Sequence, residues 1–195
     1  MKKKPLAHEH ELIIQAKQGE SDAFKKLFEF YSQKVYNFVL RMLGNSHDAE
    51  DIVQEVFVKM YRKLPSLRDP DYFSTWLFSV AKNESINFLN RQRRKNMDSI
   101  HNESENLAHK LAAKDDMQNP SPQGQSEYSD LEMHLQAALS EIPEINRSAF
   151  ILGVIQGYSY NEVGKILGCS VSNVKSRVFR ARMLLSKKLR PYYKD

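Results

Sequence analysis

Ser172, Asn173, Lys175, Ser176 and Arg180 are spaced to share one side of a helix, with Arg177 and Arg182 at its margins. An amide and a guanidinium can each make paired hydrogen bonds to a base edge, while hydroxyl and ammonium groups grip phosphate oxygens. Short polar side chains at a helix start, followed by cations, suit entry into a duplex groove. An ordinary solvated basic face would look similar.

A second stripe has different chemistry. Tyr72, Trp76, Ser79, Asn83, Asn87 and Asn90 recur at intervals of three or four and run into Arg91, Arg93, Arg94 and Lys95. Duplex recognition needs no such aromatics. Rings that stack bases, amides that bond their edges and a terminal basic cluster suit an unstacked single strand. Trp76 alone fits a core equally well.

The third group, Asp48, Asp51, Gln54, Glu55, Val58 and Arg62, lies opposite an apolar stripe. Acids near a helix start are stabilised by the macrodipole, which would explain part of the pattern. An exposed Val among charges points instead to docking on a partner.

The elements that must carry these faces are helical. From Ser21, residues Phe24, Leu27, Phe28, Tyr31, Val35, Phe38, Val39 and Met42 predict one buried stripe that Gly44 terminates, after a shorter helix over 11–17. Asn45 or Ser46 caps a helix over 48–64, with Ala49, Ile52, Val53, Val56, Phe57, Met60 and Leu64 inward and Pro65 at its end. A long helix over about 71–95 follows, with Phe73, Leu77, Val80, Ala81 and Phe88 free to turn inward.

Beyond it, Leu131, Leu135, Ala138 and Leu139 form a stripe, and Pro143 opens a helix whose Ala149, Phe150, Leu152 and Val154 lead to Gly157. Ser159 and Glu162 make a capping box. Residues 160–179 then fit a helix-turn-helix: Gly164 permits close approach, Gly168 makes the turn, and Val163, Leu167, Val171, Val174 and Val178 seal the pair. The expected fold is therefore all-α: two small helical domains, 1–95 and 131–195, joined by a flexible acidic linker, 96–130, in which Leu107 and Leu111 could mark a short helix.

Charge supports that division. The 195 residues carry 29 Lys and Arg against 24 Asp and Glu, net +5. The first segment holds 17 basic and 12 acidic residues, the linker 2 and 7, and the last segment 10 and 5. Two basic blocks around an acidic connector suggest two contacts with a polyanion. At 41% hydrophobic and 27% charged, whole-chain disorder is excluded.

No apolar run approaches the roughly 20 residues of a membrane span. Residues 1–10 are basic and polar rather than signal-like, so a cytoplasmic location without membrane insertion is expected. Cys169 is the single cysteine, and of six histidines only His8 and His10 stand close together, so neither a metal site nor a cofactor is expected.

The stretch from Asp48 to Tyr61, the stretch from Phe73 to Asn83 and the helix-turn-helix, in this order, resemble bacterial RNA polymerase sigma factors of the extracytoplasmic function (ECF) group. The resemblance implies two sigma domains, region-2-like and region-4-like. It places a dock for the beta-prime clamp of core polymerase on Asp48, Asp51, Gln54, Glu55, Val58 and Arg62. It implies capture of a flipped minus-ten base and its strand by Leu67, Tyr72, Trp76, Asn83, Asn87, Asn90, Arg91 and Arg94. Duplex minus-thirty-five DNA would be read by Ser172, Asn173, Lys175, Ser176, Arg177 and Arg180. Further implied are a contact with the beta flap, an anti-sigma factor holding the free protein, a linker near the RNA exit path, and no catalysis by this chain. Leu67 stands where the group commonly has Phe, and Ser170 where it often has Pro.

Two other functions remain open on the residues alone. A helix-turn-helix regulator could bind duplex operators without polymerase. A metal-dependent nucleic-acid enzyme would need converging carboxylates, which only the face from Asp48 to Glu55 offers at suitable spacing.

Overall fold

Local capping sets several of the helix boundaries. In the computed structural model, which describes residues 6–102 and 127–192, α1 spans Glu9–Lys17, α2 Ser21–Leu43 and α3 Ser46–Lys63. The Asn45 side chain accepts the Asp48 N–H at 3.0 Å, so Asn45 rather than Ser46 caps α3. Pro65 does not stop the chain abruptly but sits in a 3-10 turn, Leu64–Ser66. A second such turn, Pro70–Tyr72, leads into α4, Phe73–Asn102.

In the second half, α5 spans Glu127–Ser140 and α6 Glu144–Phe150, extended by a π turn over Ile151–Ile155. The helix-turn-helix is α7, Tyr160–Leu167, and α8, Val171–Leu189. The capping box closes as expected: the Glu162 N–H donates to Ser159 Oγ at 3.2 Å and the Ser159 N–H to Glu162 Oε2 at 2.8 Å. Gly168 adopts φ +63° at the turn, a left-handed conformation costly for other residues.

No strand occurs among the described residues, and the fold is the expected all-α arrangement of two helical units. Helix reaches into the connector from both ends, since α4 continues past Lys95 to Asn102 and α5 starts at Glu127. The proposed helix at Leu107 and Leu111 lies outside the described residues, as does the Leu131 side chain.

The inward stripes pack as their spacing predicts. Leu27, Tyr31, Val35, Phe38, Val39 and Met42 of α2, Ala49, Ile52, Val56 and Met60 of α3, and Phe73, Leu77 and Ala81 of α4 are buried. Phe28 departs from its stripe. It is 41% exposed and makes an edge contact with Phe57 at 4.6 Å between ring centres, because it faces the open groove between α2 and α3.

The two halves do not stand apart. Val163, Ile166, Val174 and Val178 of the helix-turn-helix, with Ile151, Leu152 and Tyr158, join the same apolar cluster as α2, α3 and α4. Tyr158 meets Phe78 edge-on at 5.1 Å, and its hydroxyl shares a 3.2 Å hydrogen bond with Ser74. The Gln156 amide donates to the Lys34 carbonyl at 2.7 Å, and the buried Arg147 guanidinium donates to the Met42 carbonyl at 2.5 Å. Arg41 pairs with Glu132 at 3.0 Å, and Arg93 pairs with Glu144.

Gly164 shows how tightly α7 and its turn fit. A methyl group there would lie 2.8 Å from the Cys169 carbonyl oxygen, a backbone atom with little room to retreat. Gly164→Ala should therefore destabilise the fold by about 1–3 kcal/mol through overpacking, read as a lower denaturant midpoint with an unchanged slope.

Candidate nucleic-acid interface

α8 presents its polar face as the spacing predicts. Ser172, Asn173, Lys175, Ser176 and Arg180 are exposed on α8, while Val174, Val178, Ala181 and Leu185 turn inward. The Ser170 hydroxyl accepts the Asn173 N–H at 3.2 Å, fixing the first turn and leaving the Asn173 amide outward. Arg177 is only half-exposed, and its charge lies near Lys82 of α4.

On α4 the predicted stripe divides. Its amide and basic end, Asn83, Asn87, Asn90, Arg91 and Arg94, is exposed. Its aromatic end is partly covered. Trp76 is half-buried, its ring centre 6.0 Å from that of Phe73. Ser79 Oγ bonds the Thr75 carbonyl at 2.9 Å and the Ile166 carbonyl of α7 at 3.1 Å. Tyr72 is exposed on one side and carries the Lys165 ammonium 4.6 Å from its ring centre. Leu67 in the preceding loop packs against the core, and its carbonyl accepts Lys17 Nζ at 2.5 Å.

On α3, Asp51, Gln54, Glu55, Val58 and Arg62 are exposed and Asp48 is half-exposed. Val58, at 42% exposure, adjoins an apolar groove of about 660 Å³ walled by Phe24, Phe28, Val53, Phe57 and Tyr61. A polar cleft of about 390 Å³ separates this face from that of α4 and is lined by Glu55, Lys59, Glu84, Asn87, Asn90, Arg91 and Arg94.

Sequence reasoning missed the groups that join these faces. Lys59 and Glu84 pair at 2.5 Å across the α3–α4 cleft. Ser74 and Tyr158 tie α4 to the second half. Glu84 had a signal, being the only acid between Phe73 and Met97. Tyr158 had none, since its partners lie far away in the chain.

Electrostatics opposes the closed contact in part. Burial, and then the nearby Arg177 charge, lower the pKa of Lys82, so two cations from the two halves face one another. Burial, with a smaller contribution from Arg93, lowers Arg147 to about 10; it stays charged at neutral pH and is held by the carbonyls of Met42, Ser140 and Ile142. Among the described residues no three His, Cys, Asp or Glu side chains gather as a metal set, and no helix is long and apolar enough to cross a membrane.

Comparison with known proteins agrees with this arrangement. Residues 27–95 match the Sigma-70 region 2 family and residues 132–185 the Sigma-70 region 4 family. The chain is 32% identical to the ECF RNA polymerase sigma-E factor of Haemophilus influenzae over 182 residues, 92% of this chain and 94% of that protein. Identity to the ECF RNA polymerase sigma-E factor of Escherichia coli is 36% over 184 residues, 92% of this chain and 93% of the relative. Among solved structures, the sigma factor RpoE of Bartonella quintana, crystallised with the anti-sigma factor NepR, superposes with a TM-score of 0.66 at 27% identity. That match covers 86% of this chain and 96% of the other. The chain belongs to the ECF group of bacterial RNA polymerase sigma factors, and it acts in transcription initiation rather than as a regulator independent of polymerase.

Two buried tyrosines report on this packing. Burial raises the phenols of Tyr31 and Tyr158 far above the ordinary value near 10. Hydrogen bonding to Glu9 adds to the rise at Tyr31, whereas the Ser74 bond works against it at Tyr158. A folded-state pKa above the unfolded one contributes stability that is complete below about pH 10 and lost as pH rises beyond it. Absorbance titration should therefore show Tyr31 and Tyr158 protonated until the chain unfolds, and Tyr158→Phe should remove one of these late transitions.

Proposed function

We propose that the three exposed faces divide the work of a sigma factor, and that this chain makes and breaks no bond. Asp48, Asp51, Gln54, Glu55, Val58 and Arg62 on α3 dock on the beta-prime clamp of core polymerase. Asn83, Asn87, Asn90, Arg91 and Arg94, with Tyr72, Trp76 and Leu67 at the aromatic end, take the separated minus-ten strand. Ser172, Asn173, Lys175, Ser176, Arg177 and Arg180 read the minus-thirty-five duplex while that domain meets the beta flap. The observation that carries this reading is the exposure of three chemically distinct faces on separate helices: acid with an apolar centre, amide with cations, and short polar with cations.

Strand capture supplies the energy for opening. Extruding a base costs a few kcal/mol of stacking and pairing, which amide bonds to its edge and cation contacts to the backbone offset. In the closed chain the Ile166 carbonyl of α7 holds Ser79 and Trp76 is half-buried, so full engagement of this part of the stripe calls for the halves to separate. An anti-sigma factor that favours the closed chain would keep it idle, in keeping with the complex in which the Bartonella quintana relative was crystallised. The setting is the cytoplasm, and an envelope or stress response fits the sigma-E relatives.

Charge reversal separates polymerase docking from DNA recognition. Asp51→Arg or Glu55→Arg should weaken core binding at least about tenfold, the scale of a lost interfacial charge contact, while a fork-junction probe binds the free variant as it binds wild type. Asn83→Ala and Asn87→Ala should each reduce permanganate reactivity of the minus-ten region about 3- to 10-fold, the net worth of one or two hydrogen bonds, with duplex binding unchanged. Wild-type footprints from both Asn variants would contradict the assignment.

A further inference from the structure

α3 and α4 each carry a face for a different partner, and something must hold those faces at a set angle. Both helices contribute to one apolar cluster, Ile52, Val56 and Met60 from α3 and Leu77, Phe78 and Ala81 from α4. Apolar packing is non-directional, so it resists separation better than it resists rotation. A charged pair with fixed geometry resists both.

Lys59 Nζ and Glu84 Oε2 lie 2.5 Å apart in the cleft between the helices. It is the only ion pair joining α3 to α4 among the described residues, with Gln92 to Asp48 at 3.5 Å as a longer polar link further along. The Glu84 side chain is 11% exposed and that of Lys59 39%. Placing a carboxylate there is costly, and a well-packed apolar pair would hold the helices about as firmly. Stability therefore does not account for it.

Location does. Lys59 stands on the same stripe of α3 as Glu55, one turn before it, and Arg62, one turn after it. Glu84 follows Asn83 directly and lies one turn before Asn87. The pair thus sits at the point where the polymerase face and the single-strand face meet, and Glu55, Lys59, Glu84 and Asn87 all line one cleft. We infer that the Lys59–Glu84 pair is a positioning device that sets the rotation of α4 relative to α3, aiming Asn83 and Asn87 at the strand when α3 is held on polymerase. Neither residue needs to touch DNA or polymerase for this role. The inference rests on the assignment of the two faces made above.

The test uses the full chain with core polymerase and a promoter fragment. Glu84→Gln keeps the shape and removes the charge, Lys59→Met keeps the stem and removes the charge, and Lys59→Glu with Glu84→Lys restores a pair with reversed polarity. Melting temperature, core affinity and permanganate reactivity at saturating holoenzyme are measured for each. Both single variants should bind core within about twofold of wild type and open the promoter about tenfold less, and the swap should recover at least half of the loss, as expected for coupled neighbours.

Single variants that open the promoter as well as wild type would overturn the inference. So would a swap as defective as the singles, or a loss of opening matched by loss of melting temperature and core affinity, which marks a merely structural pair. Wild-type chain that binds core but leaves the minus-ten strand unreactive would overturn the face assignment itself, and the inference with it.

Discussion

Tyr158 ties the second half of the chain to α4 by both a ring contact and a hydrogen bond. Its ring fills the space beside Phe78 while its hydroxyl, buried with it, bonds Ser74 on the same helix one turn earlier. A buried phenol that lost its partner would carry a desolvation penalty, so the contact is directional as well as apolar. Once Tyr158 is seated, the start of α7 is fixed over the first turns of α4. Ser79 then meets the Ile166 carbonyl, and Lys165 comes over Tyr72. Together with the Gln156 and Arg147 bonds, this contact leaves the amide and basic end of α4 open while α7 lies against Ser79.

The closure has costs as well as gains. Arg147 gives up hydration to bond three carbonyls, and Lys82 faces Arg177 across the seam. Like charges at an interface favour its opening, and phosphate oxygens brought near would turn that repulsion into attraction. The amide and basic end of α4 and the polar face of α8 are exposed to an approaching polyanion, while Trp76 is half-buried.

Local features were legible in the residues, because they depend on neighbours in the chain. Asn45, Ser159 and Ser170 cap the helices they precede, and Gly44 and Gly168 end the helices they follow. The polar face of α8 and the amides of α4 emerged where their spacing placed them. The seam between halves was not legible: Tyr158, Gln156 and Arg147 bond groups 84 to 122 positions away, and no periodicity encodes such pairing. Phe28 followed the right period yet stayed partly exposed, since a helical stripe wider than its partner leaves a margin in the open. Glu84 was visible as a lone acid, but its partner on α3 was not.

On the function proposed above, the free chain keeps its halves joined and polymerase with promoter DNA separates them. A pulsed-EPR distance measurement between spin labels at the exposed positions His47 on α3 and Ser186 on α8, in a Cys169→Ser background, tests it most directly. One narrow, short distance is expected in the free protein, replaced by a longer one when core polymerase and promoter are added. An unchanged distance in the promoter complex, or a broad distribution in the free chain, would contradict it.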